Sequence, residues 1–93
     1  MRAIVEAGDD IRTTGEEDRA CEAAVLHYVL ALHPTPLTLA DIVRALGGDD
    51  DFAQRDAVER AVRDLTGCGL LHRSETLVLP SHAALRFEQL SAD

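Results

Sequence analysis

Apolar positions recur at helical spacing over most of this chain and in short runs near its end. Ala57, Val58, Ala61, Val62 and Leu65 fall at i, i+1, i+4, i+5 and i+8, one face of a helix. Asp51 stands before that run as an N-cap with Gln54 three residues later, and Gly67 and Gly69 follow it as stop signals. Leu70-Leu71-His72 and Leu77-Val78-Leu79 are then two short apolar runs, the pattern of a hairpin laid on a core. The turn Arg73-Ser74-Glu75-Thr76 has no Asn-Gly or Asp-Gly, so its type stays open.

The rest of the chain is punctuated in the same way. Arg2-Ala-Ile-Val-Glu6 reads as a short strand or a packing arm, broken at Gly8-Asp9-Asp10, with disorder as the alternative for residues 1–13. Thr14-Gly-Glu-Glu17 has the form of a capping box, with acids where a helix dipole favours them. The helix it opens should run to about Leu32, with Cys21, Ala24, Val25, Tyr28, Val29 and Leu32 inward and Pro34 as its stop. Leu37 reads as a single bridge residue. Thr38, with Asp41 at the third position, caps a second helix carrying Leu39, Ile42, Val43 and Leu46 and ending at Gly47-Gly48. Ser81 caps a last helix with Ala83, Ala84, Phe87 and Leu90 inward and Leu85 outward. The expected core joins Val25, Tyr28, Val29, Ile42, Leu46, Val58, Val62, Leu65, Leu71, Leu79 and Phe87.

Size and composition narrow the classes. A chain of 93 residues is one domain with a thin core, and with three aromatic residues that core is aliphatic. No apolar run approaches the ~20 residues of a membrane span and nothing resembles a cleavable signal, so a cytoplasmic protein is expected. Cys21 and Cys68 form no metal-like pair and read as reduced, packed thiols. The four histidines have no ligand spacing, no nucleophile has a readable base, and Gly47-Gly48 opens onto three aspartates, the wrong sign for a phosphate cradle. The expectation is therefore no enzyme, no cofactor, no metal and no small-molecule ligand.

Net charge is −8, which argues against strong nucleic-acid binding. The acids sit mainly in the first half, whereas residues 52–86 hold five arginines against Asp56, Glu59, Asp64 and Glu75. Arg60 and Arg63 lie on the outer face of the third helix, with Arg55 flanking and Arg73 in the following turn. Two readings compete for that face. It is either a DNA-reading surface, or a solvated one neutralised by Asp56–Arg60 and Glu59–Arg63 pairs four residues apart. Leu26 and Leu30 form a second apolar stripe on the first helix. With Leu85 they mark a dimer seam, unless Ile4, Val5 and Ile11 fold back to cover them.

Taken together, the order is helix, bridge, helix, helix, strand, turn, strand, helix. Leu37-Thr-Leu-Ala-Asp-Ile-Val43, Ala57-Val-Glu-Arg-Ala-Val-Arg-Asp-Leu65, Gly69-Leu-Leu-His-Arg73 and Leu77-Val-Leu-Pro80 with Ala83-Ala-Leu-Arg-Phe87 resemble the winged helix-turn-helix superfamily. The match is to small stand-alone members from high-GC bacteria and covers about residues 17–91. The resemblance implies an α+β, mostly helical domain over residues 14–93: a three-helix core, a short β-hairpin wing and a C-terminal helix. It also implies a homodimeric transcriptional regulator that lays its third helix in the major groove of double-stranded DNA, here with Arg55, Arg60, Arg63 and Arg73 as contacts. The alternative is a winged-helix protein-interaction module without nucleic-acid binding. A contiguous positive face would favour the first, and a neutral or negative face the second.

Overall fold

The computed structural model describes the backbone of residues 2–48 and 51–91, with side chains from Gly15 onward. The elements are α1 (Arg2–Leu32), β1 (Leu37–Thr38), α2 (Leu39–Gly47), α3 (Phe52–Gly67), β2 (Leu71–Ser74), β3 (Leu77–Pro80) and α4 (His82–Ser91). The three strands form an antiparallel sheet in the order β1-β3-β2. The result is a mostly helical α+β domain of four helices and one small sheet. Among the described residues no helix is long and apolar enough to cross a membrane.

The first helix departs from expectation. It runs without interruption from Arg2, through Gly8-Asp9-Asp10 and through Thr14. The Thr14 capping box therefore opens nothing, and residues 2–13 are neither a strand nor a separate arm in backbone terms. A single glycine costs a helix only about 1 kcal/mol, which longer helical context outweighs. Side-chain packing of Ile4, Val5 and Ile11 lies outside the described residues.

The other helix starts follow their local signals. The Thr38 hydroxyl accepts from the Asp41 N–H at 3.1 Å, and the Asp41 carboxylate accepts from the Thr38 N–H at 3.0 Å. This reciprocal cap satisfies two donors that the first turn of α2 would otherwise leave orphaned. The Thr38 N–H, followed by the Thr38 side chain and Arg44, holds the Asp41 carboxyl below the usual carboxylate range. A depressed carboxylate pKa in the folded state contributes stability above the ordinary range near ~3.9, and that contribution is lost as pH falls through the depressed value. Asp41→Asn is thus expected to be less stable than the parent at neutral pH. The difference should shrink as pH falls below the ordinary carboxylate range, as read by urea midpoints across pH. A difference independent of pH would refute the ionic role.

Asp51 caps α3 by accepting from the Gln54 N–H at 3.0 Å, and Ser81 caps α4 by accepting from the Ala84 N–H at 3.1 Å. At the other end of α3, Leu70 donates to the Leu65 carbonyl at 2.9 Å and Gly69 to Thr66 at 3.2 Å. Those two bonds make a Schellman motif with Gly69 as its left-handed residue, φ 92°. Leu70 then packs back on the core, and the chain turns into β2. The hairpin loop is only two residues, Glu75 and Thr76, since Ser74 pairs with Leu77. Glu75 takes a positive φ of 57° there.

The core joins α1, α2, α3 and the sheet. Val25 and Val29, Leu37, Ile42 and Val43, Val58, Ala61, Val62 and Leu65, Leu71, and Val78 form one buried cluster. Cys21, Tyr28 and Leu46 pack on it partly buried. Four expectations need correction. Val78 rather than Leu79 is the fully buried residue of β3. Phe87, expected in the core, is 66% exposed, and Leu90 is 63% exposed. Ala84 is the buried residue of α4 and Leu85 is half-buried, so that helix is rotated from the expected phase, with Ala83 exposed. Cys68, expected as a packed thiol, is exposed at the end of α3, where its Sγ donates to the Leu65 carbonyl at 3.5 Å.

Candidate interaction surfaces

The outer side of α3 carries Phe52, Arg55, Asp56, Glu59, Arg60 and Arg63, because Val58, Ala61, Val62 and Leu65 take the inner side. Its arginines have different fates. Arg60 is held between two carboxylates, Asp56 one turn earlier at 3.0 Å and Asp18 of α1 at 3.4 Å. Arg55 is half-buried, with its guanidinium 5.9 Å from the centre of the Phe52 ring, at the outer limit of a cation–π contact. Arg63 and Arg73 are exposed and make no ion pair among the described residues. The expected Glu59–Arg63 pair is thus not formed, whereas the Asp56–Arg60 pair is.

Of the four arginines expected at a DNA surface, Arg60 is thus shared between two acids and Arg55 is half-buried, while Arg63 and Arg73 are exposed. Asp56 and Glu59 lie among them on the same side of α3. Beside them runs a shallow groove between α2 and α3, with Ala40 and Arg44 on one wall and Arg55 and Glu59 on the other. Arg44 is itself paired with Asp41 at 3.3 Å. Each of these exposed pairs is screened by solvent and adds little to stability. Their larger effect here is on the sign of the surface potential. A pair four residues apart is legible in a sequence; the Asp18–Arg60 contact spans 42 residues and carries no local signal.

A second surface is apolar. Ala23, Leu26, Leu30 and Ala31 of α1 face Phe87 of α4 across a groove of about 440 Å³. Leu26 and Leu30, expected at a dimer seam, are half-buried and line this groove. Leu85 does not line this groove; Phe87 supplies its α4 wall. The sequence signal for Phe87 is an apolar residue three before Leu90 on one helix face, a pattern that a core face and an exposed apolar face share. Only His27 and Glu88 bring titratable groups to the lining.

A third groove, of about 610 Å³, lies between α1 and α3. Ala20, Ala24, Ala53 and Ala57 are among its small side chains, and Glu17, Asp18, Asp51, Asp56 and Arg60 are its charged ones. Burial pushes the Cys21 thiol up from its ordinary pKa despite the nearby Arg60, so the less reactive, protonated form is favoured. Among the described residues no group of three or more His, Cys, Asp or Glu side chains is placed to hold a metal ion.

Comparison with protein-family models, curated proteins and solved structures found no match to this chain.

Proposed function

We propose that this chain is a winged helix-turn-helix domain that works as a protein-association module, with its apolar α1–α4 face as the contact surface. The element order α1-β1-α2-α3-β2-β3-α4 and the strand order β1-β3-β2 support the fold reading. One observation carries the functional choice. The α3 face sets Asp56 and Glu59 among its arginines and its Arg60 is already claimed by Asp18 and Asp56, whereas an apolar groove that no described residue covers, with an exposed Phe87, lies between α1 and α4. DNA affinity comes largely from neutralised phosphates, and a face that mixes acids with arginines supplies few free cations for them. Large exposed apolar patches, by contrast, mark association sites.

A homodimeric DNA-binding transcriptional regulator is the second reading, favoured by Arg63 and Arg73, which are exposed and unpaired among the described residues. Titration of random and genomic duplexes at ~50 mM and physiological salt separates the two. The expected result is no saturable binding at either salt. Binding that falls with a log–log salt slope near −0.9 per phosphate, and that is lost in Arg63→Ala with Arg73→Ala, would move the assignment to the regulator. For the association reading itself, sedimentation should show the parent as an oligomer and Leu26→Glu with Leu30→Glu as a soluble monomer. A parent that sediments as a monomer at high concentration would overturn it.

A further inference from the structure

We propose that two copies of the chain meet face to face at the α1–α4 groove about a two-fold axis, each Phe87 ring seated in its partner's groove against Leu26 and Leu30. This rests on the association reading above and names its partner and its contact.

The face carries a hollow and a projection side by side. The hollow is the groove of about 440 Å³ between Ala23, Leu26, Leu30 and Ala31 of α1 and Phe87 of α4. The projection is the Phe87 ring, 66% exposed, with Leu90, 63% exposed, three residues further on. A two-fold interface uses the same patch on both copies, so the patch must be complementary to itself. A protruding ring beside a hollow of leucines and alanines meets that condition, since a half turn sets each ring over the other copy's hollow. A hollow alone would need a partner of another shape. The chain's own backbone leaves the hollow open, because α1 is unbroken from Arg2 to Leu32. Position 11 therefore lies about 22 Å along the axis from Leu26.

Area sets the strength. Phe87 and Leu90, with Ala23, Ala31 and the outer parts of Leu26 and Leu30, offer on the order of 400 Å² of apolar surface per copy. Homodimer interfaces are about 65% apolar, so the whole contact covers roughly 600 Å² per copy. That is below the ~800 Å² per partner of a standard interface, and the Kd is expected on the order of micromolar. Net charge opposes the pairing, since each copy carries −8. Glu88 is the one carboxylate in the lining of this groove, whereas Glu17, Asp18, Asp51 and Asp56 line the α1–α3 groove. Repulsion between exposed charges is screened beyond ~8 Å at physiological salt. An apolar seam between like-charged copies therefore tightens as salt rises, and an ionic seam loosens.

The test is sedimentation equilibrium of the full chain at ~50 and ~500 mM salt, with Phe87→Ala beside the Leu26→Glu, Leu30→Glu protein. The parent is expected to dimerise, and more tightly at the higher salt. Phe87→Ala should weaken the dimer at least ~tenfold while keeping the parent's helical circular dichroism, because an exposed ring is not needed for the fold. If Leu26→Glu with Leu30→Glu is monomeric and Phe87→Ala dimerises like the parent, the association reading stands and this contact is wrong. A dimer that loosens as salt rises is held by ion pairs, which also overturns this contact. A parent that is monomeric at both salts overturns both readings.

Discussion

Ile42→Ala is expected to destabilise the folded chain by ~2–5 kcal/mol, the range for deleting most of a buried aliphatic side chain. Ile42 is fully buried and belongs to the cluster that joins α2 to Val25 and Val29 of α1 and to Val58 and Val62 of α3. Those neighbours belong to different helices, so relaxation into the cavity would have to move a whole element. Urea unfolding should show a lower midpoint with an unchanged m-value. Phe87→Ala provides the contrast. On the monomeric Leu26→Glu, Leu30→Glu background it should change stability by less than about 0.5 kcal/mol, because a 66% exposed ring contributes little to the fold. Equal costs for the two substitutions would contradict the core described here.

Gly47→Val is the second large effect, expected to cost ~1–3 kcal/mol through overpacking. A Cβ at Gly47 would stand 2.9 Å from Arg55 Cγ and 3.1 Å from Arg55 Cα. The Cγ belongs to a flexible stem and can yield. The Cα is backbone, so α2 and α3 must separate by a few tenths of an ångström. The usual gain of about 1 kcal/mol from removing a helical glycine therefore does not appear in full. For a domain this small the melting temperature should fall by at least ~4 °C. A valine variant as stable as the parent would show that the α2–α3 approach is looser than described.

What the sequence reveals divides by range. Thr38, Asp51 and Ser81 were legible as caps because the donor each satisfies lies three residues away. The stop at Gly69 was legible because few residues other than glycine tolerate its backbone. Gly8-Asp9-Asp10 and Thr14 misled for the same reason, since local stop and start signals are weak against a helix continuing on both sides. Phe87 and Leu90 misled differently. Apolar periodicity says that a face is to be covered, and it does not say whether the cover is the chain's own core. In β3 the apolar run was right and its buried residue was not, because one residue of shift exchanges Leu79 for Val78. Among the candidate site residues, the positions of Arg60 and Arg63 on the outer face were readable. The capture of Arg60 by Asp18 was not, since it depends on how α1 crosses α3.

The shape of the small sheet bears on how copies of this chain behave when crowded. β3, which carries the apolar run Leu77-Val78-Leu79, is the central strand and has a neighbour on each side. One outer strand, β1, is two residues long and follows Pro34 and Pro36, neither of which has an N–H to offer. The other, β2, exposes His72, Arg73 and Ser74, polar side chains that a flat stack of strands accommodates poorly. Neither border is a template for cross-β growth. Concentrating the native chain should not recruit strands into fibrils, and contact between folded copies falls to the helices.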